Sequence, residues 1–140
     1  MPANAEPHAD GAWYLDPSAI VKTVVEEAES AVLLGWLAGR PKLVSSDLSR
    51  VEVIRAVRCA DPAAVPRARE VLATLTTIRL DEALLDAAAE LGLPTLRSLD
   101  AIHLAAALAV GSDLAGLVTY DARQAKAATR LGLRAVTPGG

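Results

Sequence analysis

The sequence predicts an α/β fold, in which helices cover both faces of a central, mainly parallel sheet to give an open three-layer sandwich. Short apolar segments alternate with longer helical patterns along the chain. These segments are short and do not alternate between apolar and polar residues, a pattern typical of strands that are buried on both faces. The 140 residues suffice for one domain with an ordinary hydrophobic core. We therefore expect one domain over residues 11–140, preceded by a flexible leader over residues 1–10.

Strands and helices alternate in the predicted order of elements. The five strand segments lie at 12–15, 42–44, 76–79, 116–119 and 134–136. The helical patterns lie at 18–29, 30–38, 47–60, 62–75, 82–92, 98–110 and 121–131. Residues that cap helix N-termini mark several starts, as Asp16 does before Pro17, and glycines such as Gly39 and Gly132 mark ends. This alternation is what predicts a parallel sheet between helices.

Charge and composition limit the kinds of partner. The formal net charge is −3, so no overall basic character indicates nucleic-acid binding. Bound divalent ions together with local Arg and Lys side chains could still support it. Phenylalanine is absent, so base stacking cannot be the main means of holding a nucleic acid.

The chain shows no sign of secretion or membrane insertion. Its single cysteine, Cys59, cannot form an internal disulfide, which fits a reducing compartment. The longest apolar run, residues 101–110, is interrupted by His103 and is about half the length needed to span a bilayer. The first ten residues lack the basic start and apolar stretch of a secretion signal. We therefore expect a soluble, cytoplasmic protein that does not contact membranes.

Four acidic residues interrupt otherwise apolar segments: Asp16, Glu52, Asp100 and Asp121. A carboxylate that is buried alone costs several kcal/mol, so such groups are paired, protonated or bound to a metal. Asp16 and Asp121 follow predicted strands, where ligands collect in parallel sheets, whereas Glu52 and Asp100 lie on helices. Oxygen ligands alone favour Mg²⁺ or Mn²⁺ over zinc. Metal-assisted hydrolysis of a phosphodiester is the reaction that this pattern favours.

Each acid also has a purely structural interpretation. Asp16 and Asp121 could serve as helix N-caps. Glu52 could pair with Arg55 on its own helix, and Asp100 could stabilise the helix dipole. The convergence of all four is what distinguishes the metal site from these alternatives.

Four segments resemble the PIN-domain ribonucleases, specifically the VapC toxins of bacterial toxin–antitoxin pairs. The resemblance covers residues 13–138. The segments are Tyr14-Leu15-Asp16-Pro17-Ser18-Ala19-Ile20-Val21-Lys22, Ser45-Ser46-Asp47-Leu48-Ser49-Arg50-Val51-Glu52-Val53, Leu96-Arg97-Ser98-Leu99-Asp100-Ala101-Ile102-His103-Leu104-Ala105-Ala106-Ala107 and Leu117-Val118-Thr119-Tyr120-Asp121. They occur in the family's order.

The resemblance implies a specific site and activity. The catalytic and metal-binding acids would be Asp16, Glu52, Asp100 and Asp121, supported by Thr119 and Ser18. The fold would be a PIN-like sandwich around a five-stranded sheet. The activity would be Mg²⁺-dependent or Mn²⁺-dependent cleavage of an RNA substrate by a homodimer, inhibited by a cognate VapB-type antitoxin.

Other polar residues near the acids have simpler interpretations. His103, one turn after Asp100, is expected to pack or to support the site rather than to act as a base. Arg97, Lys22 and Arg123 could hold RNA phosphates or could form salt bridges. A PIN-fold module that binds RNA or an antitoxin without cleaving RNA remains the alternative function, because a sequence indicates ligands and not turnover.

Overall fold

The computed structural model describes residues 11–140, which form a five-stranded parallel sheet between helices. The strands are β1 (Ala12–Leu15), β2 (Leu43–Ser46), β3 (Thr76–Ile78), β4 (Leu114–Val118) and β5 (Ala135–Val136). The helices are α1 (Pro17–Lys22), α2 (Ser30–Ala38), α3 (Asp47–Ala60), α4 (Val65–Thr74), α5 (Glu82–Ala89), α6 (Ser98–Ala109) and α7 (Ala122–Arg130). The predicted α/β fold is confirmed, whereas the predicted leader over residues 1–10 lies outside the described residues.

The strand order is β3-β2-β1-β4-β5, with β1 in the centre. From β1 the sheet grows first towards β2 and β3, and the later strands β4 and β5 are added on the other side of β1. This reversal opens a crevice beyond the carboxyl ends of β1 and β4, where ligands collect in such sheets. Asp16 directly follows β1, and Thr119 directly follows β4.

Each face of the sheet has its own hydrophobic core. Tyr14 packs with buried residues of α5, α6 and α7, whereas Trp13 and Leu15 pack with those of α1, α2, α3 and α4. Successive residues of β1 therefore face opposite sides, and the strand is apolar throughout because both sides are covered. Within residues 11–140, no helix is both long enough and apolar enough to cross a membrane.

The first helix is shorter than the sequence predicts. We expected it over 18–29, but it ends at Lys22. Past this point the chain continues in turns to which side chains contribute: the Thr23 hydroxyl donates to the Ile20 carbonyl at 2.6 Å, and Ser30 Oγ accepts the Glu27 N–H at 2.9 Å. Serine and threonine compete with helical hydrogen bonds in this way.

Gly116 allows Trp13 to lie against β4. A Cβ atom at this position would be 2.6 Å from both the Arg134 carbonyl oxygen and Cζ3 of Trp13. We expect Gly116→Ala to lower the free energy of unfolding by about 1–3 kcal/mol, because backbone and a buried ring would both have to move. Urea unfolding measures this change. Gly92→Ala is the matched control, since no atom lies within 4 Å of its added Cβ; equal losses in the two variants would contradict the close contact.

Candidate active site

Asp16 lies at the carboxyl end of the central strand and caps α1. One of its oxygens, Oδ2, accepts hydrogen bonds from Ser18 Oγ at 2.6 Å, from Ser18 N at 3.2 Å and from Thr119 Oγ1 at 3.2 Å. Only 6% of the residue is exposed, and this burial raises the pKa of its carboxyl group. The N-cap interpretation is therefore correct, but a cap alone does not require a carboxylate to be buried here.

Ser18 and Thr119 connect the ends of β1 and β4. While each hydroxyl donates to Asp16, Ser18 Oγ accepts the Tyr120 N–H at 2.9 Å and Thr119 Oγ1 accepts the Asp121 N–H at 3.1 Å. Thr119 is fully buried, so its orientation is fixed. The two hydroxyls thereby hold Asp16 and the backbone that leads to Asp121 in one hydrogen-bonded unit.

Asp100 and Asp121 are bridged by an arginine. Arg97 Nε is 3.1 Å from Asp100 Oδ2, and Arg97 Nη2 is 3.6 Å from Asp121 Oδ2. Asp100 lies in the first turn of α6 and Asp121 caps α7, accepting the Arg123 N–H at 2.9 Å. The Arg97 side chain is 62% exposed, so it can leave the two acids without disturbing the core.

Glu52 belongs to a second hydrogen-bonded chain, which runs into the core. Glu52 Oε1 lies 2.5 Å from His103 Nε2, and His103 Nδ1 lies 2.7 Å from the Tyr14 hydroxyl. The Glu52 carboxylate can only accept, so His103 carries its ring proton on Nε2 and donates it to Glu52. Nδ1 then accepts from the Tyr14 hydroxyl, which keeps its proton because burial raises the pKa of Tyr14. The predicted supporting role of His103 thus has a definite geometry.

Gln124 is a buried polar residue whose contact the sequence did not indicate. It is fully buried, and its Nε2 donates to the Asp100 backbone carbonyl at 3.2 Å. This bond ties α7 to the first turn of α6, which carries Asp100. The available signal was its place on the apolar face of α7, together with Ala127 and Ala128.

The predicted site residues fall into two connected groups. Asp16, Ser18, Thr119 and Asp121 are linked by hydrogen bonds, and Arg97 extends this group to Asp100. Glu52 is held by His103, which lies one turn after Asp100 on α6. Among residues 11–140, no three or more His, Cys, Asp or Glu side chains are already arranged to hold a metal ion.

The donor set nevertheless suits a hard cation. The groups available are carboxylate and hydroxyl oxygens, which Mg²⁺ and Mn²⁺ prefer. Asp16 is buried and forms no salt bridge within residues 11–140, whereas Asp100 and Asp121 share the exposed Arg97. A cation would offset the cost of the buried charge on Asp16 and could replace Arg97 between the other two acids.

The chain is similar to known proteins along nearly its whole length. The PIN domain family matches residues 13–130. Ribonuclease VapC35 of Mycobacterium tuberculosis is 45% identical over 130 residues, which cover 90% of this chain and 96% of the relative. Ribonuclease VapC46 of the same species is 46% identical over 127 residues, which cover 91% and 98%.

Two solved structures share the fold. Sarcin-ricin loop cleaving toxin VapC20 of Mycobacterium tuberculosis matches with a TM-score of 0.73 at 14% identity, covering 90% of this chain and 99% of the other. A chain of a toxin–antitoxin complex from Klebsiella pneumoniae matches with a TM-score of 0.69 at 21% identity, covering 89% and 96%. At these identities the likeness concerns the fold alone.

Proposed function

This chain belongs to the PIN-domain family, among the VapC ribonucleases, and from this premise we propose that it is a metal-dependent endoribonuclease toxin that a cognate antitoxin neutralises. One observation carries the proposal beyond family membership. Asp16 is buried at the end of the central strand and is connected through Thr119 to Asp121 and through Arg97 to Asp100. A purely structural role for these acids does not account for burying a carboxylate at the edge of a crevice.

The proposed reaction is hydrolysis of an RNA phosphodiester bond with Mg²⁺ or Mn²⁺. The residues proposed to hold the ion are Asp16, Glu52, Asp100 and Asp121. Such an ion lowers the pKa of a bound water and stabilises charge on the leaving oxygen. The chain itself supplies orientation: Ser18 and Thr119 hold Asp16, and His103 holds Glu52. Arg97 is exposed and can turn from the acids towards a substrate phosphate.

We propose α2 as the surface for the homodimer and for the VapB-type antitoxin. This helix is apolar on all sides, yet Val32 and Leu34 are about half exposed. Exposed apolar surface of this kind is typical of protein–protein contacts. We further propose that the protein acts in the cytoplasm, where its RNA substrates and its antitoxin would be made.

The proposal is tested by incubating the purified, antitoxin-free chain with total RNA in Mg²⁺, Mn²⁺ or EDTA. We expect discrete fragments with either metal and none with EDTA. Asp100→Asn should give no fragments, because it removes a carboxylate that is proposed to hold the metal ion. The variant should still fold, because its amide oxygen can accept the hydrogen bond from Arg97. Intact RNA in every metal, with wild type and variant both folded, would contradict the ribonuclease proposal and favour a PIN-fold module that only binds RNA or an antitoxin.

A further inference from the structure

A cleft between the start of α6 and the outer face of α7 carries a local concentration of positive charge. It has a volume of about 350 Å³, and its lining includes Arg97, Arg123, Lys126, Arg130 and Asp100. These four cations are drawn from only 14 Lys and Arg residues in a chain whose net charge is −3. This cleft, which we call the basic cleft, is therefore locally positive although the chain as a whole is acidic.

Helix α7 presents its three cations along one exposed side. Arg123, Lys126 and Arg130 are spaced three and four residues apart, which places them on the same helical face. Within residues 11–140 none of the three has an ion-pair partner, so their charge is not already neutralised. At 1.5 Å per residue they extend over roughly 10 Å, enough to face more than one phosphate of a single strand.

The basic cleft adjoins the candidate active site directly. Arg97 and Asp100 both line the cleft at the start of α6, and Arg97 contacts both Asp100 and Asp121. A strand whose phosphate reached the acids would therefore continue into the basic cleft. Guanidinium and ammonium groups hold phosphates without reading bases.

We propose that the basic cleft binds the RNA backbone on one side of the scissile phosphate. This inference rests on the proposed ribonuclease function and identifies the residues that hold the strand. Lys126 and Arg130 fix the strand's register, and Arg97 binds the phosphate nearest to the acids. The row of three cations along α7 and the position of the cleft beside Asp100 favour RNA over an acidic antitoxin segment as the occupant.

The test measures binding of a nuclease-resistant, single-stranded 2′-O-methyl oligonucleotide to the full chain by fluorescence anisotropy. Lys126→Gln/Arg130→Gln removes two charges from the basic cleft. Each phosphate contact contributes about 0.7 to the slope of log affinity against log salt, so the slope should fall by about 1.4. The Kd should accordingly rise roughly 10- to 30-fold at about 0.1 M salt.

A matched control removes the same charge elsewhere. Arg67→Gln/Arg69→Gln neutralises two exposed arginines of α4, which does not line the basic cleft. We expect this variant to bind like wild type. The proposal would be overturned if the α7 variant, Lys126→Gln/Arg130→Gln, kept the wild-type Kd and slope. It would also be overturned if the α4 variant, Arg67→Gln/Arg69→Gln, lost as much affinity for RNA, or if the α7 variant lost antitoxin binding while RNA binding stayed intact.

Cleavage assays on the same variants separate this proposal from the ribonuclease function. If both hold, the α7 variant raises KM and leaves kcat within about threefold of wild type, because it loses contacts made equally in the ground and transition states. Charge-dependent binding through α7 without cleavage in any metal would defeat the nuclease assignment and leave the basic cleft as an RNA site. Cleavage with an unchanged KM in the α7 variant would contradict only the proposal that the basic cleft binds the RNA backbone.

Discussion

Replacing Asp16 with asparagine is expected to abolish RNA cleavage and, in EDTA, to raise the midpoint of thermal unfolding. Asparagine keeps an oxygen that can accept from Ser18 and Thr119, so the cap of α1 should remain. It removes the negative charge that would bind the metal. Because metal catalysis supplies several kcal/mol and each 1.36 kcal/mol is a factor of ten, we expect cleavage to fall about 10³-fold or more.

The gain in stability should depend on pH in a defined direction. Burial raises the pKa of Asp16, so the folded protein holds this proton more tightly than the unfolded chain does. This contribution to stability is complete below the ordinary carboxyl pKa of about 3.9 and is lost as the pH rises through the raised value. The variant has no such proton, so its advantage over wild type should be larger at about pH 8 than at about pH 4.

Thermal unfolding in EDTA at the two pH values measures this difference. Asp113→Asn is the control, because the Asp113 side chain is 59% exposed and pairs only at the surface with Lys42; it should change neither cleavage nor stability appreciably. Cleavage that persisted in Asp16→Asn would remove Asp16 from the catalytic site. A variant less stable than wild type at both pH values would contradict the cost assigned to the buried charge.

The parts of the fold that depend on local sequence could be predicted. An apolar strand followed by Asp16 and Pro17 specifies the end of β1 and the start of α1, because a capping side chain and a fixed φ angle act within a few residues. The segment after Lys22 could not be predicted in the same way. There the hydroxyls of Thr23 and Ser30 compete with helical hydrogen bonds, and the outcome depends on how the turn packs.

For the site, too, the sequence predicted local features but not contacts between distant parts of the chain. Asp16 and Asp121 could be placed at one crevice from sequence, because the carboxyl ends of parallel strands lie at the same edge of a sheet. The partners of the acids could not, since they come from distant parts of the chain. The sequence suggested the nearby Arg55 as an ion-pair partner of Glu52, but Glu52 contacts His103, which is 51 residues away. The assignment of the acids as metal ligands stays a prediction.

Replacing His103 with leucine is expected to weaken metal-dependent cleavage about 10- to 100-fold, although His103 is buried and is not proposed as a ligand. The substitution removes the donor that fixes Glu52 and the acceptor of the Tyr14 hydroxyl. The Tyr14 hydroxyl would also lose this hydrogen bond inside the core, which should cost about 1–3 kcal/mol of stability. The Mn²⁺ concentration for half-maximal cleavage and the urea midpoint report the two effects separately.

The tautomer of His103 shows whether its ring forms the assigned hydrogen bonds or only fills space in the core. Two-bond ¹H–¹⁵N correlation spectra should show the ring proton on Nε2 in wild type at about pH 8, as the Tyr14–His103–Glu52 chain requires. Tyr14→Phe removes the donor to Nδ1 but leaves the Glu52 acceptor, so the ring proton should stay on Nε2 while the Nδ1 resonance shifts as its hydrogen bond is lost. A ring proton on Nδ1 in wild type, or an Nδ1 resonance that Tyr14→Phe does not shift, would contradict the assigned direction of these bonds.

A double variant, Tyr14→Phe/His103→Leu, separates positioning from stability. With both partners apolar, the Tyr14 hydroxyl that lost its bond to His103 is itself removed, so much of the stability lost in His103→Leu should return. Glu52 still lacks its donor, so the Mn²⁺ concentration for half-maximal cleavage should stay as high as in His103→Leu. If cleavage recovered together with stability, His103 would act only through the core. If stability alone recovered, the core would be repaired while cleavage stayed weak. The hydrogen bond from His103 to Glu52 would then be what His103 contributes to the reaction.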